Sequence, residues 1–332
     1  MLGDLGVMYF IYRLVSDIDG DNEKARKNSL LFFLCPFVIF ISSIWGMFDS
    51  IPILFTIISM WLLLKGRLYL SSFFLGMGTY FKVVPIIYLP ILAIYIIKRR
   101  GFSKAIVYSI IAIIIPIMFT LIPVGLFRWD VSKAFVTVLS QTERTGDSLV
   151  YWNLRPLLND LSPSLFPNES LDSFFSFPLI RYLWILGLLL CYFSFFQSKI
   201  SSHVNSSDEQ VSSDLQILAK WFIFVTISFL LTRTFVPEQF VLYLLPAMVI
   251  MSNPMSIHKY YKRIWILGLA FVFVNFYPFA FAYLINANFW SAFSFLATTQ
   301  PFSTLRYATR FMIAVLFDFH LLKFLLDMVK KT

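Results

Sequence analysis

The sequence predicts an all-α integral membrane protein, a polytopic helical bundle of about 11 transmembrane segments. Three observations predict it. Of the 332 residues, 59% are hydrophobic and 14% charged, with a mean hydropathy of +0.77; soluble domains carry about a quarter charged residues. The apolar runs recur along the whole length, so a soluble core with one anchor does not fit. Runs such as AIVYSIIAIIIPIMFTLIPVGLF (105–127) do not alternate apolar with polar residues, which excludes a transmembrane barrel and leaves helices.

In order, the segments are 2–15, 29–48, 51–64, 68–81, 83–98, 105–127, 178–197, 215–232, 239–252, 263–283 and 307–328, within a single membrane domain over 1–332. The first opens at Met1 with no basic n-region and no cleavage site, so it is not a signal peptide. It starts as though partway through a helix, with Asp4 at its outer edge, and further residues are expected upstream. The second ends in the turn SSIWGMFDS, which holds Asp49. Residues 51–64 give about 21 Å of helix against roughly 30 Å of hydrocarbon. They are either extended by flanking turns or pair with 68–81 to cross only in part. Segment 83–98 follows Lys82-Val83-Val84-Pro85 and runs into Lys98-Arg99-Arg100. A loop over 128–177 precedes 178–197, and a Ser-rich linker, 198–214, precedes 215–232.

Alternation sets 16–28, 65–67, 98–104, 198–214, 253–262 and the C-terminus on one side, with most of the 27 basic residues. The positive-inside rule makes that side cytoplasmic. The other side then collects Asp49, Lys82, the 128–177 loop, TRTFVPEQF (232–240) and 285–310. A net charge of +9 reads as topology and not as a nucleic-acid surface, because the basic residues sit at segment ends. Cys35 and Cys191 lie in apolar runs and read as reduced packing residues. His203, His258 and His320 are too scattered for a metal centre, and no G-x-G-x-x-G or P-loop marks a nucleotide site. The sequon at Asn168 carries little weight, and Asn205 falls on the inner side.

GDLGVMYFIYRL, LCPFVIFISSIWGMFDSI, the basic turn KGR and LGMGTYFKVVPIIYLPIL follow one another in order. This resembles the membrane-embedded glycosyltransferases of the C superfamily (GT-C). It is especially similar to the GPI mannosyltransferase I catalytic subunits and their archaeal, dolichyl-phosphate-sugar-dependent relatives. Cys35-Pro36 stands at the family's Asn-Pro, Ser42-Ser43…Asp49-Ser50 at its Ser-Ser…Asp-Ser turn, and Lys82-Val83-Val84-Pro85 at its Lys-x-x-Pro. LSQTERTGDSLVYWNLRPLLNDL lies where the family has an external Arg-containing loop. FVPEQFVLYLLP resembles its Ser-Gln-Tyr-Phe-Leu-Trp-Tyr segment, with Gln239 and Phe240 matching and Glu238 in place of the serine. The family's acidic Asp-x-Asp-type motif, on a loop before the segment matching 2–15, has no counterpart here. The chain is therefore expected to be either N-terminally truncated or a relative that has lost transfer chemistry.

The resemblance implies transfer of a hexose, mannose first among them, from a polyprenyl or dolichyl phosphate sugar to a lipid-linked glycan acceptor on the external face, with inversion. Such a protein sits in the plasma membrane of a prokaryote or the endoplasmic reticulum of a eukaryote. It needs a base for the acceptor hydroxyl, donors for the leaving phosphate and a greasy groove for the polyprenyl chain. The catalytic base is unknown; Asp49 is the best remaining acidic candidate. It either contacts donor or acceptor, caps the helix that begins at Ser50, or pairs structurally. The donor phosphate falls to Lys82, Arg144, Arg233 and Gln239. Lys82 holds a phosphate oxygen, pairs with Asp49 or snorkels. Arg144 offers a planar fork at the end of an interfacial helix, VSKAFVTVLSQTER, or is a solvated loop arginine. Arg233 can pair with Glu238. Tyr151 and Trp152 stack on sugar faces or belong to the interfacial aromatic belt. Asp318, mid-segment, is read as a structural hydrogen-bonding group inside the bundle.

No cofactor is required; a divalent metal is compatible, with ligands drawn largely from the upstream loop. Partners are the lipid-phosphate sugar, the glycan acceptor, membrane lipid and an accessory membrane subunit, with no nucleic acid. A second function class is a non-catalytic membrane subunit that binds a glycolipid or a partner enzyme. A transporter or flippase is disfavoured, because the halves show no inverted repeat.

Overall fold

The computed structural model describes residues 1–130, 132–133, 151–162, 177, 182–198, 207–233, 238–251, 254–274 and 299–330. Helix accounts for nearly all of these, with no strand among them. Two compact units emerge. The first comprises Met1–Thr142, Gly187–Ser228 and Leu242–Ile257; the second comprises Glu143–Leu186, Phe229–Val241 and His258–Thr332.

The first unit opens with α1 (Leu2–Asp19) and α2 (Asn22–Phe33). The polar stretch 16–28, expected as a cytoplasmic turn, is therefore mostly helical. Its break is confined to Gly20, which takes the left-handed conformation at φ 72°, and Asp21, whose side chain accepts from the Lys24 amide at 2.9 Å. Pro36 then interrupts the second apolar segment, because proline removes a helical donor. α2 and α3 (Pro36–Ile39), with the π turn Phe40–Ile44, meet at a 47° bend.

α4 (Ser50–Leu64) and α5 (Leu68–Phe81) form an antiparallel pair across the Gly66 turn. After Lys82, Pro85 helps set a 3-10 turn, Val84–Tyr88, ahead of α6 (Leu89–Arg100). α7 (Phe102–Leu126) is long and apolar enough to cross a membrane alone. So is the Gln210–Thr232 part of a later helix, and the bent α2–α3 pair makes a third crossing if it is one span. α8 (Tyr151–Leu161), α9 (Leu183–Gln197), α10 (Ser207–Thr232), α11 (Leu244–Ile250), α12 (Pro254–Val274) and α13 (Phe302–Lys330) complete the described helices. The linker expected over 198–214 is shorter than that, since α10 begins at Ser207. All but Ser132 and Lys133 of the interfacial helix expected over 131–144 lies outside the described residues; α8 is described within the 128–177 loop.

Small and hydroxyl-bearing residues let the helices of the first unit meet closely, as membrane bundles require. Ser59 of α4, Ser71 of α5 and the Tyr108 hydroxyl of α7 form a buried triangle with sides of 3.0, 3.1 and 3.1 Å. Tyr108→Phe removes one corner while the two serines stay bonded. The expected loss is about 0.5–1.5 kcal/mol, read as a lower unfolding temperature in detergent.

At the far end, α6 finishes in three cations that tie neighbouring helices. Lys98 donates to the carbonyls of Phe195, at 2.7 Å, and Ser198; Arg99 meets Asp214 at 2.5 Å; Arg100 donates to Gly66 and Leu63 carbonyls at 3.1 and 3.2 Å. The carbonyls belong to helix C-terminal ends, which carry partial negative charge.

In the second unit α8 packs on the start of α13, where Asp160 accepts from Ser303 at 2.9 Å and Thr304 at 3.2 Å. Farther along α13, His320 Nδ1 donates to the Leu316 carbonyl at 2.7 Å. Its Nε2 accepts from Arg263 at 3.2 Å, which fixes the neutral tautomer. Asp318 departs from expectation: its Oδ1 is buried and has no hydrogen-bond partner among the described residues.

Candidate functional site

A buried ion pair organises one end of the first unit. Asp49 occupies the position before α4, in the turn that follows the π segment. Its backbone is already helical, at φ −56° and ψ −26°, and its side chain makes no capping bond. The capping reading is thereby corrected. A capping carboxylate needs extended backbone to fold back onto the first amides, and the Asp49 carboxylate turns instead to the Lys82 ammonium.

Lys82 reaches it because α5 stops where it does. Lys82 leaves the helix in extended conformation, its amide still bonded to the Gly78 carbonyl at 3.1 Å. Gly78 also sets the spacing. A Cβ there would lie 3.1 Å from the Pro52 carbonyl oxygen and 3.3 Å from the Phe55 Cβ, so α5 meets α4 at this point through bare backbone. Phe55 stacks flat on Phe81, with centroids 5.5 Å apart and planes at 10°. The end of α5 is therefore held over the start of α4.

The two partners differ in exposure. The Asp49 side chain is 1% exposed and that of Lys82 21%. Burial raises the Asp49 carboxyl above the ordinary carboxylate value, and the Lys82 ammonium draws it back only in part. An ammonium carries three donors. One of them goes to Asp49, on the buried side.

Three further residues lie around the pair. Ser50 donates to the buried carboxylate of Asp4 on α1. Gly3 and Gly6 bring α1 against α4 there, since a Cβ on Gly3 would sit 3.0 Å from that of Ser50. Tyr243, buried where the 3-10 turn Glu238–Tyr243 meets α11, lies within electrostatic range of Asp49. It also lines an apolar crevice between α4 (Ile53, Thr56, Ile57) and α11 (Pro246, Ala247, Ile250), closed by Tyr88 and Phe222. From the sequence, Asp4 marks only the segment's edge and Ser50 only the turn after Asp49, and Tyr243 carries no signal. The signal for Asp4 and Asp49 was shared, an acid at the rim of an apolar run; nothing local joins Tyr243 to them.

The other expected residues stand as follows. In the second unit Arg233 lies over the rings of Phe229 and Trp184, at 4.9 and 5.7 Å from their centroids, and burial lowers its guanidinium to about 10. Gln239 sits in the Glu238–Tyr243 turn with Oε1 buried and no hydrogen-bond partner for it among the described residues. Tyr151 and Trp152 form the first turn of α8, their side chains outside the description, as is that of Glu238. Arg144 lies outside the described residues. Among the described residues no three His, Cys, Asp or Glu side chains gather as a metal site. The ammonium on Asp49 opposes a second cation there.

Apolar helices joined by short turns, with a buried acid held by a part-exposed ammonium at one helix junction, define a helical integral membrane protein with a polar site at the end of its bundle. Residues 1–191 of the 332 match glycosyltransferase family 87, and the chain belongs to that family. Over 102 residues it is also 31% identical to GPI mannosyltransferase 1 of Debaryomyces hansenii, a match that takes in 29% of this chain and 24% of that protein. The matched stretch thus spans about a quarter of that relative's length.

Proposed function

We propose that this protein transfers a hexose, with mannose as the first candidate, from a polyprenyl or dolichyl phosphate sugar to a lipid-linked glycan acceptor on the external membrane face. The observation that carries the proposal is the Asp49–Lys82 pair, in which a buried carboxylate aims a part-exposed ammonium. Family membership supports glycosyl transfer, and the Debaryomyces match supports mannose. The external orientation rests on the distribution of basic residues.

In this reading the acceptor hydroxyl oxygen bonds to the anomeric carbon as the bond from that carbon to the phosphate oxygen breaks. The phosphate departs with the electron pair, and the hydroxyl proton passes to a base. Lys82 stabilises the charge that grows on the departing phosphate. Asp49 is its anchor; a carboxylate this buried and already held by an ammonium is poorly placed to accept a proton from an acceptor. The apolar crevice that shares Tyr243 suits the first part of a lipid tail. Arg144, Arg233 and Gln239 remain the further phosphate candidates by motif order, and Tyr151 and Trp152 those for the sugar.

The test supplies the full-length protein, in membranes, with labelled hexose on either a polyprenyl phosphate or a nucleotide. Label is expected in a lipid-linked glycan from the first donor only. Direct transfer from the nucleotide sugar by the purified protein would overturn the proposal.

A further inference from the structure

The opposite end of the first unit carries a second polar surface, unrelated to the ion pair. α1, α4 and α6 all finish in turns that need glycine, with Gly20, Gly66 and Gly101 at φ of 72°, 82° and 93°. Contacts show that these turns adjoin. Arg100, before Gly101, donates to the Gly66 carbonyl at 3.1 Å, and Lys65, before Gly66, meets Asp17 at the end of α1 at 3.7 Å. Arg67 and Lys104 flank the same turns and are exposed.

At this end α1 and the turn after it supply Asp17, Asp19, Asp21 and Glu23, while the stretch from α4 to α7 supplies no acid. From Asp49 to Asp130 the sequence contains no acidic residue. Asp17, the acid that reaches this surface from α1, already receives Arg13 at 2.9 Å and the Trp61 indole at 3.2 Å. The surface also has a definite level in the membrane. Tyr69 and Phe102, beside Arg67 and Lys104, are 63% and 67% exposed. Ile106, Ile110, Ile113 and Ile117 then run along α7 as an exposed stripe at helical spacing. A helix with that composition turns the stripe to hydrocarbon, and Lys104 stands about 3 Å of helix rise before its first residue. Exposed aromatic rings at this boundary match the headgroup layer.

We propose that Arg67 and Lys104, backed by Lys65 and Arg100, form a docking site for anionic phospholipid headgroups. The Arg67 fork takes two phosphate oxygens, Lys104 supplies a point charge to the same headgroup layer, and Arg100 keeps the two turns in register. The site needs no glycosyl chemistry and does not depend on the reading of Asp49 and Lys82.

Native mass spectrometry of the full-length protein, exchanged against phosphatidylglycerol or phosphatidylcholine, tests it. The unmodified protein is expected to retain phosphatidylglycerol preferentially. Each basic side chain near an anionic surface strengthens binding about fivefold, so Arg67→Gln/Lys104→Gln should weaken it about 25-fold. Arg67→Lys/Lys104→Arg should keep the preference. Equal retention of both lipids by the unmodified protein would overturn the site, and this arm stands even if a variant fails to fold. Unchanged phosphatidylglycerol binding in the glutamine variant would overturn it too. Displacement of the lipid by inorganic phosphate at equal concentration would overturn the lipid assignment in favour of a free anion.

Discussion

Lys82→Ala is expected to lower hexose transfer by about 10²–10³-fold, the usual effect of removing one donor from a developing oxyanion. It is also expected to destabilise the first unit by about 3–5 kcal/mol, because it strands a carboxylate that is 1% exposed. The two effects separate. Asp49→Asn leaves an amide that still accepts from Lys82, so stability should change little while the ammonium loses its counter-charge. Lys82→Ala/Asp49→Asn should recover most of the stability lost in the single alanine variant and none of the transfer. Thermal unfolding in detergent and the lipid-phosphate transfer assay read the two quantities. Full transfer in a folded Lys82→Ala protein would sink the proposed role.

The same pair gives a pH dependence with a defined sign. Burial raises the Asp49 carboxyl, so the folded state binds its proton at a higher pH than the unfolded chain does. Folding stability from this group therefore rises as pH falls through the raised value. The deficit of Lys82→Ala, relative to the unmodified protein, should shrink with acidification, since a protonated carboxyl needs no counter-ion. A deficit that is constant with pH would place the damage elsewhere.

Gly76→Ala is expected to destabilise by about 1–3 kcal/mol, against the general rule that alanine is the better helix former. A Cβ at this position would lie 2.7 Å from the Ile115 Cβ and 3.0 Å from the Ala112 carbonyl oxygen. Both atoms are tied to the α7 backbone, so the helices must move apart. Separation would strain the Ser71–Tyr108 contact in the same seam. Gly125 of α7 is the control. Nothing lies within 4 Å of a Cβ there, and Gly125→Ala should stabilise by up to about 1 kcal/mol. Unfolding temperatures of the two variants should shift in opposite directions.

The helices and their ends were legible locally. α5 runs over 68–81 as its apolar run implies, and α4 differs from its expected span by one residue, because helix formation there depends on neighbours three and four positions away. The expectations that failed had local causes of their own. Gly20 and Asp21 confine the break in a polar stretch to two residues, and Pro36 divides an apolar one. Asp49 and Lys82 could be singled out from the sequence because charge at the rim of hydrocarbon demands a reason. The sequence by itself determined a membrane bundle, its basic turns and the residues that require partners. Only the tertiary structure decided which partners they have. Lys82 lies 33 residues from Asp49 and Tyr243 far beyond both. Their meeting depends on how closely the helices approach, which Gly3, Gly6 and Gly78 permit by lacking a side chain. No spacing along one helix encodes that approach, because it is a property of two surfaces packed together.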